Sequence, residues 1–165
     1  MNRTTVERKS DREVVVTRTF DAPARLVFEA WTTPELFKQW WVPRSMGMTL
    51  RSCELDVRTG GKYRLVFGDE PANSMAFFGK YLDVVPNQCI VWTNEEGGAN
   101  GSVTTVTFQE KSGKTTLVLS ELYPTKEALD AAGTGAQEVM KETFGQLDEL
   151  LASLSSSQIA AVGNP

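Results

Sequence analysis

The sequence predicts an α+β fold, in which a curved antiparallel sheet of about seven strands packs around one long C-terminal helix. Between residues 49 and 123, β-type runs alternate with short turn signals, and short connections favour antiparallel neighbours. After residue 125 the apolar residues recur every three or four positions, which is typical of an amphipathic helix. Such a helix needs an apolar surface, and the concave face of a sheet supplies one.

The first elements are one strand and one short helix. Residues 1–11 are polar and aperiodic, so we predict a flexible N-terminal arm. The β-branched segment from Glu13 to Phe20 predicts the first strand, which an Asp-Ala-Pro sequence at residues 21–23 ends. From Pro23 onward, apolar residues recur at helical spacing up to Trp31, which predicts a short helix.

A second short helix and the remaining strands follow. Thr33 is a suitable N-cap, Pro34 suits the first helical position, and the helix is predicted to run to about Trp41. Turn residues separate six further predicted strands. These strands cover residues 49–57, 62–68, 75–85, 88–94, 102–110 and 114–123. Both faces of the last strand carry apolar residues, so its inward face stays undecided.

The C-terminal helix is defined by its apolar stripe. Its members are Ala136, Met140, Thr143, Phe144, Leu147, Leu150, Leu151 and Leu154. The Gly-Thr-Gly sequence at residues 133–135 is expected to break the helix into a short first piece and a long second one. We predict a single domain over residues 12–154 and a flexible C-terminal tail over residues 155–165.

Composition excludes several classes of function. The 17 basic and 21 acidic residues give a formal charge of −4, and the basic ones are dispersed, so no nucleic acid is expected as a partner. No apolar run approaches the roughly 20 residues of a membrane-spanning helix, so no membrane span is expected. The charged N-terminal sequence lacks the apolar centre of a secretory signal, and we therefore expect a cytoplasmic protein.

The chain contains no histidine, which removes the usual general base and the commonest metal ligand. Ser-His-Asp and Cys-His catalysis are excluded on this ground. Cys53 and Cys89 have no CxxC spacing, so we interpret both as reduced core residues and predict no metal site. No cofactor is predicted.

Several ordered motifs carry a resemblance to a known family. The sequences RTFDAP at residues 18–23, VFEAWTTPE at 27–35 and WWVP at 40–43 closely resemble the opening signature of AHSA-type domains, named after an activator of a heat-shock chaperone ATPase. DVRTGGKY at residues 56–63 is similar to the Gly-Gly turn of that family, and GKYLDVVP at 79–86 to its central strand. The resemblance covers residues 12–154.

The resemblance implies a START-like helix-grip fold of the SRPBCC superfamily, with a cavity between the sheet and the long helix. Different members use this cavity for lipids, polyketides and other apolar ligands, whereas the eukaryotic namesake stimulates a heat-shock chaperone. Three functions therefore stay open. The first is binding of a small apolar or aromatic ligand, the second is a co-chaperone role on a heat-shock chaperone, and the third is a small cyclase- or hydrolase-type enzyme.

Aromatic residues are the main candidates for the cavity wall. Trp31, Trp40, Trp41 and Trp92 suit either ligand contact or plain core packing. Other candidates lie on the two surfaces that a helix-grip fold brings face to face. The predicted ligand-binding set is Trp40, Phe77, Tyr81, Trp92, Glu121, Met140 and Phe144. The catalytic residues and the oligomeric state stay open.

Two groups of charged residues have competing interpretations. If Glu121 faces inward, it places a carboxylate beside apolar residues, where it needs a partner such as Arg64 or Tyr81, or a function. A reversed register would expose it instead. Asp56 and Arg58 precede a Gly-Gly turn, and we interpret them as charges that solvate a hairpin in preference to a docking ion pair.

Overall fold

The computed structural model describes residues 4–47, 50–68, 75–95 and 101–162. Within these residues, the sheet contains eight antiparallel strands in the order β1-β2-β8-β7-β6-β5-β4-β3. In chain order these are Thr5–Arg8, Glu13–Phe20, Leu50–Leu55, Lys62–Phe67, Met75–Val85, Cys89–Thr93, Val103–Lys111 and Lys114–Leu122. The predicted α+β fold, with a sheet packed around a C-terminal helix, is confirmed.

The strand count of about seven was one too low, because β1 lies inside the segment predicted as an arm. Thr5 pairs with Thr17 and Arg8 pairs with Val14, so β1 extends the edge of the sheet beside β2. Its sequence is polar because only one side of this edge strand has a neighbour. Of the predicted arm over residues 1–11 and tail over residues 155–165, residues 1–3 and 163–165 lie outside the described residues.

The part of the chain that the structure describes also contains four α-helices: α1 at Ala24–Thr32, α2 at Pro34–Trp40, α3 at Lys126–Ala132 and α4 at Gly135–Val162. The predicted break before the long helix is confirmed, since Gly133 follows α3 with a φ of +66° and α4 begins two residues later. Helix α4 continues to Val162, past Leu154, where the sequence analysis ended it. No helix among the described residues combines the length and the apolarity needed to cross a membrane.

The core lies between the concave face of the sheet and α4. Alternate residues of the central strands face it, including Val16, Val106, Leu117 and Leu119, which are fully buried. From α4, Phe144 and Leu147 pack against these strands, and Phe144 meets Phe20 edge to face with ring centroids 5.9 Å apart. Each such fully buried side chain stabilises the fold by about 1.5–3 kcal/mol. The core therefore holds α4 firmly over the sheet.

One buried glutamine on α4 holds the segment that follows α2. Gln146 Nε2 donates to the carbonyl oxygens of Trp40 at 3.1 Å and Val42 at 2.8 Å. Its Oε1 accepts from the backbone N–H of Arg44 at 2.9 Å. A polar residue is thus buried at 5% exposure because all these hydrogen bonds are made within the protein.

Candidate functional site

A pocket of about 360 Å³ lies between the concave face of the sheet and α4. Helix α2 contacts both α4 and β3, and α1 contacts β7, β8 and α4, so the two short helices pack beside this space. Residues from both helices, from strands β3 to β8 and from α4 form the wall. The pocket therefore lies where the helix-grip arrangement separates the two layers.

Most of the wall is apolar. Its aromatic members, among the described residues, are Trp31, Phe37, Trp41, Tyr63, Phe67, Phe77, Tyr81 and Trp92. Its aliphatic members are Leu55, Leu65, Ile90, Val139 and Met140. Polar side chains come from Asn94, Thr104, Glu121 and Thr143. A wall of this composition suits an apolar or aromatic molecule that has a few polar groups.

A row of side chains crosses the sheet along this wall. Tyr81 is the register partner of Trp92, Trp92 of Thr104, and Thr104 of Glu121. Register partners point to the same face, and neighbouring strands lie about 4.8 Å apart. The row therefore places two aromatic rings and one carboxylate on the same concave surface, with Glu121 at the β8 end.

The Gly-Gly turn positions Tyr81 in this row. The backbone N–H of Gly60 donates to the Tyr81 carbonyl at 2.9 Å, and the Tyr81 N–H donates to the Gly61 carbonyl at 2.8 Å. Gly60 has a φ of +87°, a conformation that glycine adopts without strain. A Cβ at Gly61 would lie 1.9 Å from the Asp56 carbonyl oxygen, so no larger residue fits there. The turn thus supports the site through the backbone.

The charges beside this turn are exposed. Arg58 Nε lies 3.0 Å from Asp56 Oδ2, and their side chains are 70% and 55% exposed. Exposed pairs of this kind contribute little to stability. The interpretation of Asp56 and Arg58 as a solvated hairpin therefore agrees with the structure.

Hydrogen bonds hold the Glu121 carboxylate at the pocket wall. Ser102 Oγ donates to one oxygen at 2.9 Å, and Gln137 Nε2 donates to the other at 3.2 Å. The same Gln137 nitrogen donates to the Tyr123 hydroxyl oxygen at 3.1 Å. Arg64, one of the two partners proposed for Glu121, is exposed on the other face of β4, so that proposal was wrong. Glu121 faces the concave side of the sheet because it is the register partner of Thr104 in the row described above.

The network continues along the wall toward β4. Asn94 Nδ2 donates to Thr104 Oγ1 at 2.9 Å and to Ser102 Oγ at 3.1 Å. The Tyr63 hydroxyl donates to the Thr93 carbonyl oxygen at 2.7 Å. Because these groups bond to one another, the polar side of the pocket has a defined geometry before any ligand enters.

Burial changes the acidity of the phenols near the site. It raises the pKa of Tyr81, and the nearby Cys53 and Asp56 raise it further. Burial also raises the pKa of Tyr123, and the negative charge of Glu121 adds to this effect. Both phenols therefore stay protonated at neutral pH.

Among the described residues, one buried polar atom of a lining side chain has no hydrogen-bond partner. Trp31 Nε1 is buried and unpaired, although the Trp31 ring packs closely against its aromatic neighbours, with a centroid distance of 5.8 Å to Trp92. A buried unpaired N–H is unfavourable, and an acceptor on a bound molecule that reached this nitrogen would satisfy it. By contrast, Trp40 Nε1 donates to the Ala30 carbonyl at 3.0 Å.

The described residues contain no group of three Cys, Asp or Glu side chains placed to hold a metal ion. Cys53 and Cys89 are both free thiols, and both are half-buried.

Residues 21–152 match the sequence model of the family described as Activator of Hsp90 ATPase homolog 1-like protein. The chain belongs to this family. The match covers most of the domain predicted over residues 12–154, and it confirms the AHSA-type resemblance. A search of curated proteins gives no match.

Solved structures with the same fold agree with this family assignment. A protein from Rhodobacter sphaeroides is 25% identical, with a TM-score of 0.80, and the alignment covers 92% of this chain and 99% of that one. A protein from Staphylococcus epidermidis is 27% identical, with a TM-score of 0.71 and coverages of 90% and 94%. An AHSA1-like protein from Aeromonas hydrophila, 14% identical with a TM-score of 0.65 and coverages of 82% and 92%, shares the fold.

Within this AHSA1-like domain, five of the seven predicted site residues line the pocket. They are Phe77, Tyr81, Trp92, Glu121 and Met140. Trp40 and Phe144 are fully buried and do not line it. Their rings pack against Trp31 instead, at centroid distances of 4.7 Å and 6.1 Å, and so support a ring that does reach the pocket.

Several residues that line the pocket were missing from the predicted ligand-binding set. The alternation in β4 places Tyr63, Leu65 and Phe67 on one face, and this signal was present in the sequence. Phe37 and Trp41 are four residues apart and stack on each other at 4.8 Å, as helical spacing allows. Gln137 had no comparable signal, because a glutamine on an amphipathic helix is normally exposed.

Proposed function

We propose that this chain binds a small apolar or aromatic ligand in the pocket between the sheet and α4. The observation that carries the proposal is the composition of the wall, in which aromatic and aliphatic side chains predominate. A fold that buries this much aromatic surface around an unfilled volume gains stability when an apolar molecule fills it. Membership of a family whose fold is consistent with ligand binding supports the same proposal.

Within this proposal, the five predicted residues on the wall contact the ligand. Phe77, Tyr81, Trp92 and Met140 supply apolar contact, and Met140 adapts to ligand shape because its side chain is unbranched. Glu121 sets the orientation of the ligand, since its carboxylate lies in a row with Trp92. Trp40 and Phe144 do not contact the ligand; they pack against Trp31 and hold its ring in place.

The experiment is a thermal-shift screen of apolar and aromatic compounds, preceded by native mass spectrometry of the purified protein. A ligand that binds only the folded state at 100 times its Kd stabilises it by about 2.7 kcal/mol, which is readily seen. We expect a saturable shift with at least one compound class. No bound molecule and no shift across the panel would contradict the proposal.

A matched pair of variants tests whether the thermal shift comes from binding in the pocket. Met140→Trp puts a large ring on the pocket wall, and we expect it to abolish the shift. Leu122→Trp adds the same ring at a residue of β8 that is 43% exposed and does not line the pocket, and it should leave the shift intact. If both variants bound the ligand equally well, the pocket would not be the binding site.

The description of the family gives a second candidate, a co-chaperone role on a heat-shock chaperone ATPase. This candidate requires a surface that docks on the chaperone and a change in its ATPase rate. The measurement is the ATPase rate of a purified heat-shock chaperone of the Hsp90 type with increasing amounts of this protein. A saturable increase would favour the co-chaperone role, and an unchanged rate would exclude it for that chaperone.

A further inference from the structure

The pocket carries a negative group on an aromatic wall. Glu121 is its carboxylate, and among the described lining residues there is no Lys or Arg. Ser102 and Gln137, both neutral, donate hydrogen bonds to the two carboxylate oxygens. Among the described lining residues, Glu121 is thus the one charged group, and the faces of the aromatic rings on the same wall are also negative.

A carboxylate and an aromatic wall attract the same kind of ligand group. Cations bind to the faces of Trp and Tyr rings, and they form strong charge-assisted hydrogen bonds with carboxylates. The same two features repel a carboxylate or phosphate on the ligand.

The row of side chains separates the place for a charged ligand group, the head, from the place for the apolar part of the ligand, the body. Glu121 and Trp92 are two strands apart in the row across the sheet, so their Cα atoms lie about 10 Å apart, with Thr104 between them. A ligand head at Glu121 therefore leaves its body over Thr104 and the Trp92 ring. This spacing matches a cationic group carried on a short linker from an aromatic or aliphatic body.

We infer that the pocket selects ligands with a cationic head, such as a protonated amine, which pairs with Glu121 while an aromatic or apolar body packs against Trp92. The inference rests on the proposed function, because it names the class of ligand for the same pocket.

The unpaired Nε1–H of Trp31 would favour a different class of ligand. It is a donor, and a ligand that satisfied it would need an acceptor, such as a hydroxyl, carbonyl or carboxylate oxygen. If Trp31 dominated, neutral or anionic ligands would bind better than amines. The two readings therefore predict opposite orders of affinity.

Three compounds that share a 4-phenylbutyl group distinguish these two orders of affinity. They are 4-phenylbutylamine, 4-phenylbutan-1-ol and 5-phenylvalerate, which are cationic, neutral and anionic at pH 7. Isothermal titration calorimetry at low ionic strength gives their affinities. We expect the amine to bind about tenfold or more tightly than the alcohol, since hydrogen bonds to charged groups are roughly twice as strong as neutral ones. The carboxylate should bind most weakly.

Two variants test the role of Glu121. Glu121→Gln keeps the size and shape of the side chain, removes its charge and replaces one of its two acceptor oxygens by an NH2 donor. The preference for the amine should fall to about one, with the alcohol affinity unchanged. Glu127→Gln removes a charge at an exposed residue of α3 and should change neither affinity. Melting temperatures close to that of the parent protein show that both variants are folded.

The outcomes distinguish this inference from the proposed function. If the alcohol bound as tightly as the amine, or Glu121→Gln kept the preference, the inference would be overturned and the ligand-binding function would stand. If none of the three probes bound, and the apolar panel also gave no shift, the proposed function itself would fall.

Discussion

Gln137 on α4 donates a hydrogen bond from Nε2 to Glu121 Oε1 on β8, at 3.2 Å. The same nitrogen reaches the Tyr123 hydroxyl at 3.1 Å, so one side chain joins the long helix to the end of the strand that carries the pocket carboxylate. Gln137 is fully buried, and its Oε1 has no hydrogen-bond partner within the described parts of the chain. The contact therefore holds Glu121 in place and leaves one buried acceptor unsatisfied.

Gln137→Ala should destabilise the protein by about 1–3 kcal/mol, because it removes two hydrogen bonds and leaves their buried partners unpaired. Urea unfolding followed by far-UV circular dichroism measures this change. Lys141→Ala, on the same helix, removes only an exposed ion pair with Glu138 and should change stability by less than about 0.5 kcal/mol. Equal effects of the two substitutions would show that the Gln137 contacts contribute no stability.

Gln146→Ala should loosen the segment after α2. The substitution removes the hydrogen bonds to the Trp40 and Val42 carbonyls and to the Arg44 N–H, and we expect a loss of about 2–4 kcal/mol in the free energy of unfolding. The Arg44 amide hydrogen should also exchange faster with solvent. Unchanged exchange at Arg44 would contradict the role assigned to Gln146.

Two glycine substitutions should act in opposite directions. Gly145 lies within α4 and a Cβ there meets no atom within 4 Å, so Gly145→Ala should stabilise the protein by about 0.5–1 kcal/mol through helix propensity. A Cβ at Gly79 would lie 2.0 Å from the Thr93 carbonyl oxygen, so Gly79→Ala should cost about 1–3 kcal/mol. Differential scanning calorimetry compares both variants with the parent protein.

Burial raises the pKa of the Cys53 thiol from 9.0 to about 11, with the Lys38 charge acting in the opposite direction. In a Cys89→Ser variant, which isolates Cys53, iodoacetamide at pH 8 should react about 100-fold more slowly with the folded than with the urea-unfolded protein, because only the thiolate reacts. A rate that is the same in both states would contradict the raised pKa.

The same pKa shift has a consequence for stability. The folded state holds the Cys53 proton more tightly than the unfolded state, so its contribution is fully present below pH 9 and is lost as the pH rises from 9 toward 11. In the same Cys89→Ser background, Cys53→Ala should therefore flatten the decline in stability over this range. An unchanged slope would show that Cys53 does not contribute to it.

Local pattern was enough to predict most of the elements. The strands Glu13–Phe20 and Met75–Val85 have the bounds that β-branched and aromatic residues and turn signals indicated, and the break at Gly133 follows from helix propensity. These features depend on residues within about ten positions of one another. The same holds for the aromatic face of β4, whose alternation is visible in the sequence.

The tertiary structure decided which of these residues meet. Both faces of β8 carry apolar residues, so only its pairing with β2 and β7 places Glu121 on the concave face. The polar strand β1 exists because β2 offers it an edge, and Gln137 is buried because Glu121 and Tyr123 bind it. Trp40 and Trp31 have the same side chain, yet packing puts only Trp31 at the pocket. The sequence by itself therefore determined most of the elements and the family, whereas contacts between distant residues determined strand β1, the pocket wall and its charge.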